Sequence, residues 1–96
     1  MSETTQNAEF AKQLTLLPNP ASNNITLAYV PETTGVSKIT ILTIDGRKVM
    51  EMNNGFAEAG KQYTKKIDVN KLQNGVYLVQ ISTGSKVSSK KIVIAH

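Results

Sequence analysis

The chain has 96 residues, the usual size of one domain and enough to bury one modest hydrophobic core. Its 40% hydrophobic and 19% charged residues are ordinary for a globular protein, the absence of cysteine excludes disulfides, and no apolar run approaches the ~20 residues that cross a bilayer. The net charge of +4 comes without a long basic run or interleaved aromatic residues, so nucleic acid is not an expected partner.

The amino-terminal segment, residues 1–13, is polar and contains Phe10 as its one aromatic residue. It lacks the basic start and apolar stretch of a Sec-type signal peptide, so if the protein is exported, we expect its Sec signal to lie on a part not included in this sequence. We therefore expect residues 1–13 to form a tail or linker and residues 14–96 to form one domain.

The next segments predict short β-strands. Leu14-Thr15-Leu16-Leu17 is an apolar run, and it stops at Pro18-Asn19-Pro20 because proline cannot donate a hydrogen bond to a sheet. From residue 24 to residue 30, apolar and polar residues alternate, which is typical of a half-buried strand. The inward face of this strand is predicted to carry Ile25, Leu27 and Tyr29.

Residues 36–44 form the longest β-rich run, and their apolar side chains occupy both strand faces. Either both faces are covered or a β-bulge shifts the alternation. Asp45-Gly46 then predicts a type I′ turn before a strand over residues 47–52. The asparagine- and glycine-rich stretch that follows predicts a loop that tucks Phe56 against the edge of the fold.

Residues 62–68 alternate again. Tyr63 and Ile67 are predicted to face inward, and Lys65 interrupts that face as a lysine does on an edge strand. The segment before residue 74 is too short for a substantial helix, so we expect a tight turn whose Leu72 reaches the core.

The end of the chain predicts a β-hairpin. Its first arm opens at Asn74-Gly75, and Gly84-Ser85 is a two-residue loop signal. The first arm places Tyr77, Val79 and Ile81 in one phase. About seven short strands with frequent turns and no helical period predict an all-β fold, an immunoglobulin-like β-sandwich.

The polar residues form no recognisable catalytic or metal-binding set. The single histidine, His96, is the last residue, and we expect it to have no structural hold. No two carboxylates stand at a spacing typical of a metal site or an acid–base pair, and Asp45 is interpreted as a turn former. The sequence therefore predicts no enzyme, no metal and no cofactor.

Three local patterns follow one another along the chain. The first is Pro18-Asn19-Pro20 before a small-residue turn and an apolar strand, and the second is the β-rich run that ends in Asp45-Gly46-Arg47. The third is Leu-x-x-Gly-x-Tyr at residues 72–77 with a basic-then-apolar end, Lys90-Lys91-Ile92-Val93. In order and spacing, residues 14–95 resemble the C-terminal sorting domain of the type IX (Por) secretion system of Bacteroidota.

The resemblance implies an immunoglobulin-like sandwich that acts as an address label without catalysis. Such domains follow a larger cargo that carries its own Sec signal, and the type IX machinery, an outer-membrane shuttle and translocon, reads them in the periplasm. The cargo then reaches the cell surface or the extracellular space. A sortase-like peptidase usually removes the domain and attaches the cargo to lipopolysaccharide, so the cleavage region is expected within residues 1–13.

The resemblance also indicates which residues form the label. We expect the machinery to contact the terminal hairpin, at Gly75, Tyr77, Lys86, Lys90, Lys91, Ile92 and Val93. We expect structural-motif roles for Pro18, Asn19, Pro20, Asp45, Gly46 and Arg47. Most of the hairpin residues also have a purely structural interpretation. Tyr77, Ile92 and Val93 are compatible with core packing, and Gly75 is compatible with a turn position. Lys90 and Lys91 are compatible with charges that protect a sheet edge from pairing with another strand.

Two other functions fit a small β-sandwich. A carbohydrate-binding or adhesive module of a surface protein usually exposes several aromatic residues on one face, whereas Tyr29 and Tyr77 are in apolar phase. A structural spacer would bind nothing. A weak homodimer through an open sheet edge is compatible with all of these functions.

Overall fold

The computed structural model describes residues 14–96, so the expected tail and cleavage region, residues 1–13, lie outside the described residues. The described residues form seven strands and no helix. The strands are β1 (Leu14–Leu17), β2 (Asn24–Tyr29), β3 (Gly35–Thr43), β4 (Lys48–Ala57), β5 (Tyr63–Asp68), β6 (Gly75–Thr83) and β7 (Lys86–Ile94).

The strands form two antiparallel sheets, one with the order β1-β2-β5 and the other with the order β4-β3-β6-β7. The chain crosses between the sheets after β2, after β4 and after β5, which gives the interleaved connections of an immunoglobulin-like sandwich. The predicted fold class, an all-β sandwich of about seven strands, is confirmed.

The core lies between the two sheets and consists of alternate residues from each strand. Ile25, Leu27 and Tyr29 of β2 are buried as predicted, and so are Tyr77, Val79 and Ile81 of β6. Each aliphatic side chain of this size contributes about 1.5–3 kcal/mol when it leaves water completely. The alternation in the sequence therefore identified the inward faces of the central strands.

The inward and outward side chains of β3 alternate without interruption. A β-bulge in this strand was one of the two structures that its sequence predicted. Ile39 and Ile41 face the core, whereas Ile44 lies beyond the strand and is 58% exposed. The register between β3 and β4 shifts between Ser37 and Lys38 and again between Ile41 and Leu42. The unpaired residue is in β4 both times, so the bulges belong to the partner strand.

The bulge opposite Ser37 and Lys38 overturns the loop predicted around Phe56. Strand β4 continues through Asn53, Asn54 and Gly55, and Phe56 lies opposite Val36 with 65% of its surface exposed. The turn-forming residues are accommodated because Asn54 is the unpaired residue and Gly55 has a φ of +79°. The predicted tucking of Phe56 against the edge is therefore wrong.

The turn between β3 and β4 is not of type I′. That type needs a positive φ at both central residues, and in the described residues only glycines have one. The Gly46 N–H donates to the Thr43 carbonyl at 2.9 Å, and Gly46 alone takes a φ of +94°. The loop between Thr43 and Arg47 thus has three residues and ends on Gly46, and Asp45 avoids the positive φ that a type I′ turn would impose on it.

The connection between β5 and β6 is the expected tight turn, closed by a hydrogen bond of 3.1 Å from the Leu72 N–H to the Val69 carbonyl. Leu72 packs against the core from its rim, while Val69 is fully buried. On β5, Ile67 is buried, Tyr63 and Lys65 are half-buried, and the strand lies at the edge of its sheet as predicted.

Candidate functional site

The motif segments lie together at one end of the sandwich. Strands β1, β3, β5 and β7 end there, and β2, β4 and β6 begin there, since each pairs with its neighbours in antiparallel fashion. Ile94 of β7 pairs with Gly75 and also forms a parallel bridge with Ala21. We call residues 18–21, 45–47, 72–75 and 93–96 the motif end.

The Pro18-Asn19-Pro20 segment fastens the first strand of one sheet to the last strand of the other. Both prolines follow cis peptide bonds. The Val93 N–H donates to Asn19 Oδ1 at 3.1 Å, and the Val93 carbonyl accepts from the Ala21 N–H at 2.8 Å. The Ala95 N–H donates to the Ala21 carbonyl at 2.8 Å. Ala21 is fully buried, so this segment closes one side of the sandwich.

His96 is held at two points, so the expectation that it has no structural hold is wrong. Its backbone N–H donates to Asn74 Oδ1 at 2.9 Å, and its ring Nε2 lies 2.6 Å from the Leu72 carbonyl oxygen. Both partners are within reach because Gly75, the next residue, pairs with Ile94. Local sequence patterns cannot predict these contacts, because the partners are more than 20 residues apart in the sequence.

Tyr77 and Ile92 serve the interior of the sandwich. Tyr77 is 8% exposed, and its hydroxyl donates to the Gln73 carbonyl at 2.6 Å. A tyrosine near the start of this strand that bonds back a few residues upstream is the tyrosine corner of immunoglobulin-like folds. Ile92 is 1% exposed. In the folded domain, neither side chain is presented to a partner.

The Asp45-Gly46-Arg47 turn is stabilised by Thr43. The Thr43 hydroxyl donates to Asp45 Oδ1, and the Arg47 N–H donates to Thr43 Oγ1 at 3.0 Å. The Thr43 hydrogen bond, with a smaller contribution from the Arg47 charge, lowers the pKa of Asp45 below its ordinary value. Arg47 itself is exposed at the motif end.

The three lysines of the predicted label differ in their surroundings. Lys86 lies 3.9 Å from Glu32, and Lys90 Nζ donates to the Leu14 carbonyl at 3.2 Å, which bridges β7 and β1. Lys91 is exposed and forms no ion pair with any described residue. Val93, which is 39% exposed, lies on the same outer sheet face as Lys91. Lys91 and Val93 therefore present their side chains on the outer face near the end of the final strand.

Sequence reasoning missed a buried polar network at the opposite end of the sandwich. The Tyr29 hydroxyl donates to Ser37 Oγ at 3.2 Å, and Ser37 Oγ lies 3.0 Å from Thr83 Oγ1. Asn54, the bulge residue, donates to the Tyr29 hydroxyl at 2.8 Å. The alternation of side chains along each strand could have revealed this network, because Ser37 and Thr83 occupy inward-facing positions of β3 and β6.

The described residues hold no cluster of three or more metal-ligating side chains. No helix long and apolar enough to span a membrane occurs in the part of the chain that the structure describes. A cleft of about 200 Å³ lies beside β7, away from the motif end, and Tyr29, Glu32, Ile81, Lys86 and Val87 contribute to its walls. Next to this cleft, β7 presents exposed backbone at the edge of its sheet and exposed lysine side chains.

Comparison with known proteins shows a matching family and solved structures of similar fold. The family model described as secretion system C-terminal sorting domain matches residues 15–95. A solved structure titled "Crystal structure of the C-terminal domain of wzt" superposes with a TM-score of 0.54 at 17% sequence identity, covering 86% of this chain and 70% of that one. At this identity, the likeness concerns the fold alone. No curated protein sequence gives a significant match.

Proposed function

The chain belongs to the family of secretion system C-terminal sorting domains, and we propose that it directs a larger cargo protein, joined to its amino-terminal side, through the type IX machinery. Membership of this family assigns a sorting role in type IX secretion, which implies export to the cell surface or the extracellular space. The cargo carries its own Sec signal and is recognised in the periplasm by an outer-membrane shuttle and translocon. A sortase-like peptidase then cuts within residues 1–13.

The observation that carries this proposal is the convergence of the family's sequence patterns on one end of a folded sandwich. The Asn19 side chain contacts Val93, and the Leu72 carbonyl and the Asn74 side chain contact His96. Residues far apart in sequence thus build one local structure. A receptor that reads this end would recognise a folded domain and would ignore an unfolded one.

The label residues divide into two groups in this proposal. Lys86, Lys90, Lys91 and Val93 supply exposed charge and surface, and positive charge accelerates encounter with an acidic receptor. Gly75, Tyr77 and Ile92 keep β6 and β7 in register beneath that surface. The two proline residues and Asn19 keep the end of β7 in place.

The positions of the aromatic side chains do not favour a carbohydrate-binding module. Tyr29 and Tyr77 are buried, and Tyr63 stacks on Tyr29 with ring centroids 5.6 Å apart. Among the described aromatic residues, Phe56 alone is largely exposed. A sugar-binding platform needs aromatic faces that a ligand can reach, and a single isolated ring is a poor platform.

The direct test is export of a reporter. A Sec signal, a fluorescent protein and residues 1–96 are fused in that order and expressed in a type IX-competent strain. We expect the reporter at the cell surface or in the medium, and we expect it to stay in the periplasm of a strain without the translocon. Retention of the reporter in the periplasm of the competent strain would contradict the proposal.

Deletion of residues 90–96 is expected to abolish export, whereas Glu32→Gln is expected to leave it unchanged. The deletion removes Lys91 and Val93, but it also removes the buried Ile92 and Ile94. Near-ultraviolet circular dichroism of the purified domain shows whether the shortened chain still packs its core. Export of the shortened fusion at the parental level would contradict the assignment of the label to β7.

A further inference from the structure

Strand β7 is an edge strand with β6 on one side only. The two-residue loop Gly84-Ser85 makes Thr83 and Lys86 the first hydrogen-bonded pair, so residues 86, 88, 90, 92 and 94 direct their backbone groups toward β6. Residues 87, 89, 91 and 93 direct theirs outward. The bonds from Val93 to Asn19 and Ala21 confirm this parity independently.

The backbone N–H and C=O groups on the outward edge of β7 are hydrogen-bonded near the end of the strand and free of described partners before it. At Val93 and Ala95 they are occupied by Asn19 and Ala21. No described residue forms a backbone hydrogen bond with the outward groups of Val87, Ser89 or Lys91. The ladder with β6 runs without a bulge along this stretch, so the outward groups follow one another at regular intervals. Such an edge is a template for another strand.

The cleft of about 200 Å³ lies next to this open stretch. Val87 and Ser88 of β7 line it, together with Tyr29 and Ile81 from the core. A strand added to β7 alternates its side chains between the outer sheet face and this inner side. The cleft therefore has room for an apolar side chain of the added strand.

Charge decides which strand fits. The outer face beside the open stretch carries Lys91, and Lys86 and Lys90 flank the same edge. Antiparallel pairing of two copies about Ser89 would set Lys90 diagonally opposite Lys86 and Lys90 of the second copy, within reach of these long side chains, so like charges would repel across the strands. Glu32 is near Lys86 but lies on the cleft side. A second copy is disfavoured, and an acidic strand is favoured.

We propose that the open edge of β7, Val87 to Lys91, receives an extended acidic segment of the export machinery by β-strand addition, with one apolar side chain of that segment in the adjacent cleft. This proposal rests on the proposed sorting function. It assigns sequence-independent affinity to the backbone of β7 and specificity to the lysines and the cleft.

Ser89→Pro tests the proposal directly. Proline removes the outward N–H of residue 89 and leaves the ladder with β6 intact, because edge strands tolerate proline where the N–H faces solvent. In the reporter fusion, we expect Ser89→Pro to reduce the amount of surface reporter about tenfold. This is the loss of affinity expected when one hydrogen bond to the added strand is lost and the proline ring clashes with that strand. Ser89→Ala, which keeps the N–H, is the matched control and is expected to export normally.

Folding is checked on the purified full chain by urea unfolding. If Ser89→Pro does not fold, Lys91→Glu replaces it, with Lys91→Arg, which keeps the positive charge, as its control. The side chain of residue 91 projects from the outer face without touching the ladder. Normal export of a folded Ser89→Pro or Lys91→Glu variant would overturn the strand-addition proposal alone. Failure of the parental fusion to leave the periplasm would overturn the sorting function with it.

Amide hydrogen exchange supplies a second measurement that needs no receptor. In the isolated chain, we expect the amides of residues 87, 89 and 91 to exchange at least tenfold faster than those of 88, 90 and 92. Protection of the outward amides would show that the edge is already covered, by residues 1–13 or by a second copy, and would overturn the proposal. Sedimentation of the chain separates these two occupants.

Discussion

At the scale of single residues, Tyr77 links the Leu-x-x-Gly-x-Tyr pattern to the fold. The ring fills the core and the hydroxyl donates to the Gln73 carbonyl at 2.6 Å. We expect Tyr77→Phe to lower the free energy of unfolding by about 1 kcal/mol, the net value of one hydrogen bond. Tyr77→Ala should cost about 3–5 kcal/mol because it also leaves a cavity. Urea unfolding measures both, and equal stability of Tyr77→Phe and the parent would contradict a bracing role for the hydroxyl.

A second residue-scale prediction concerns the pKa of Asp45. The hydrogen bond from Thr43 and the charge of Arg47 lower this pKa in the folded chain. The stabilisation from this carboxylate is therefore present above the ordinary pKa of an unfolded aspartate and is lost as the pH falls through the lowered value. We expect Thr43→Val to raise the pKa of Asp45 toward its ordinary value in an NMR titration. Thr64→Val, on the other sheet, is the control and should leave it unchanged.

At the scale of elements, the double bulge makes β4 the least regular strand of the sandwich. Gly55 follows the unpaired Asn54 with a φ of +79°, and a Cβ at this position would meet no heavy atom within 4 Å. The cost of a side chain there is thus purely conformational. We expect Gly55→Ala to cost about 1–2 kcal/mol and Gly55→Asn less, because asparagine visits this backbone region more readily. Equal losses for the two variants, measured by urea unfolding, would argue against a left-handed residue 55.

The same elements show what the sequence could predict. Alternation identified the inward faces of β2, β5 and β6, because burial on one sheet face imposes a period of two residues. It failed at Asn53-Asn54-Gly55, where turn-forming residues sit inside a strand because a bulge turns Asn54 toward Tyr29. Local sequence patterns could not predict the hydrogen bond between the Asn74 side chain and the His96 backbone, because the two residues meet only after β6 and β7 pair.

At the scale of the whole molecule, the last strand is fixed by segments from both halves of the chain. Asn19 holds Val93, and Asn74 holds His96. These contacts explain why a sorting label can consist of separated short patterns, since each pattern supplies part of one joint. They also restrict the open backbone of β7 to the stretch before Val93.

This joint makes the stability of the chain's end depend on two asparagine side chains. We expect Asn19→Ala and Asn74→Ala each to lower the free energy of unfolding by about 1 kcal/mol, since each removes the acceptor of one backbone N–H. The larger effect is local, because opening the end of β7 needs less free energy than unfolding the whole sandwich. Carboxypeptidase should therefore trim the double variant faster than the parent, as mass spectrometry can follow. Asn70→Ala is the matched control, because Asn70 lies in the neighbouring turn and only its backbone N–H is bonded, to Asp68. Equal trimming of all the chains would mean that the two side chains do not hold the strand, and that the buried Ile92 and Ile94 secure it alone.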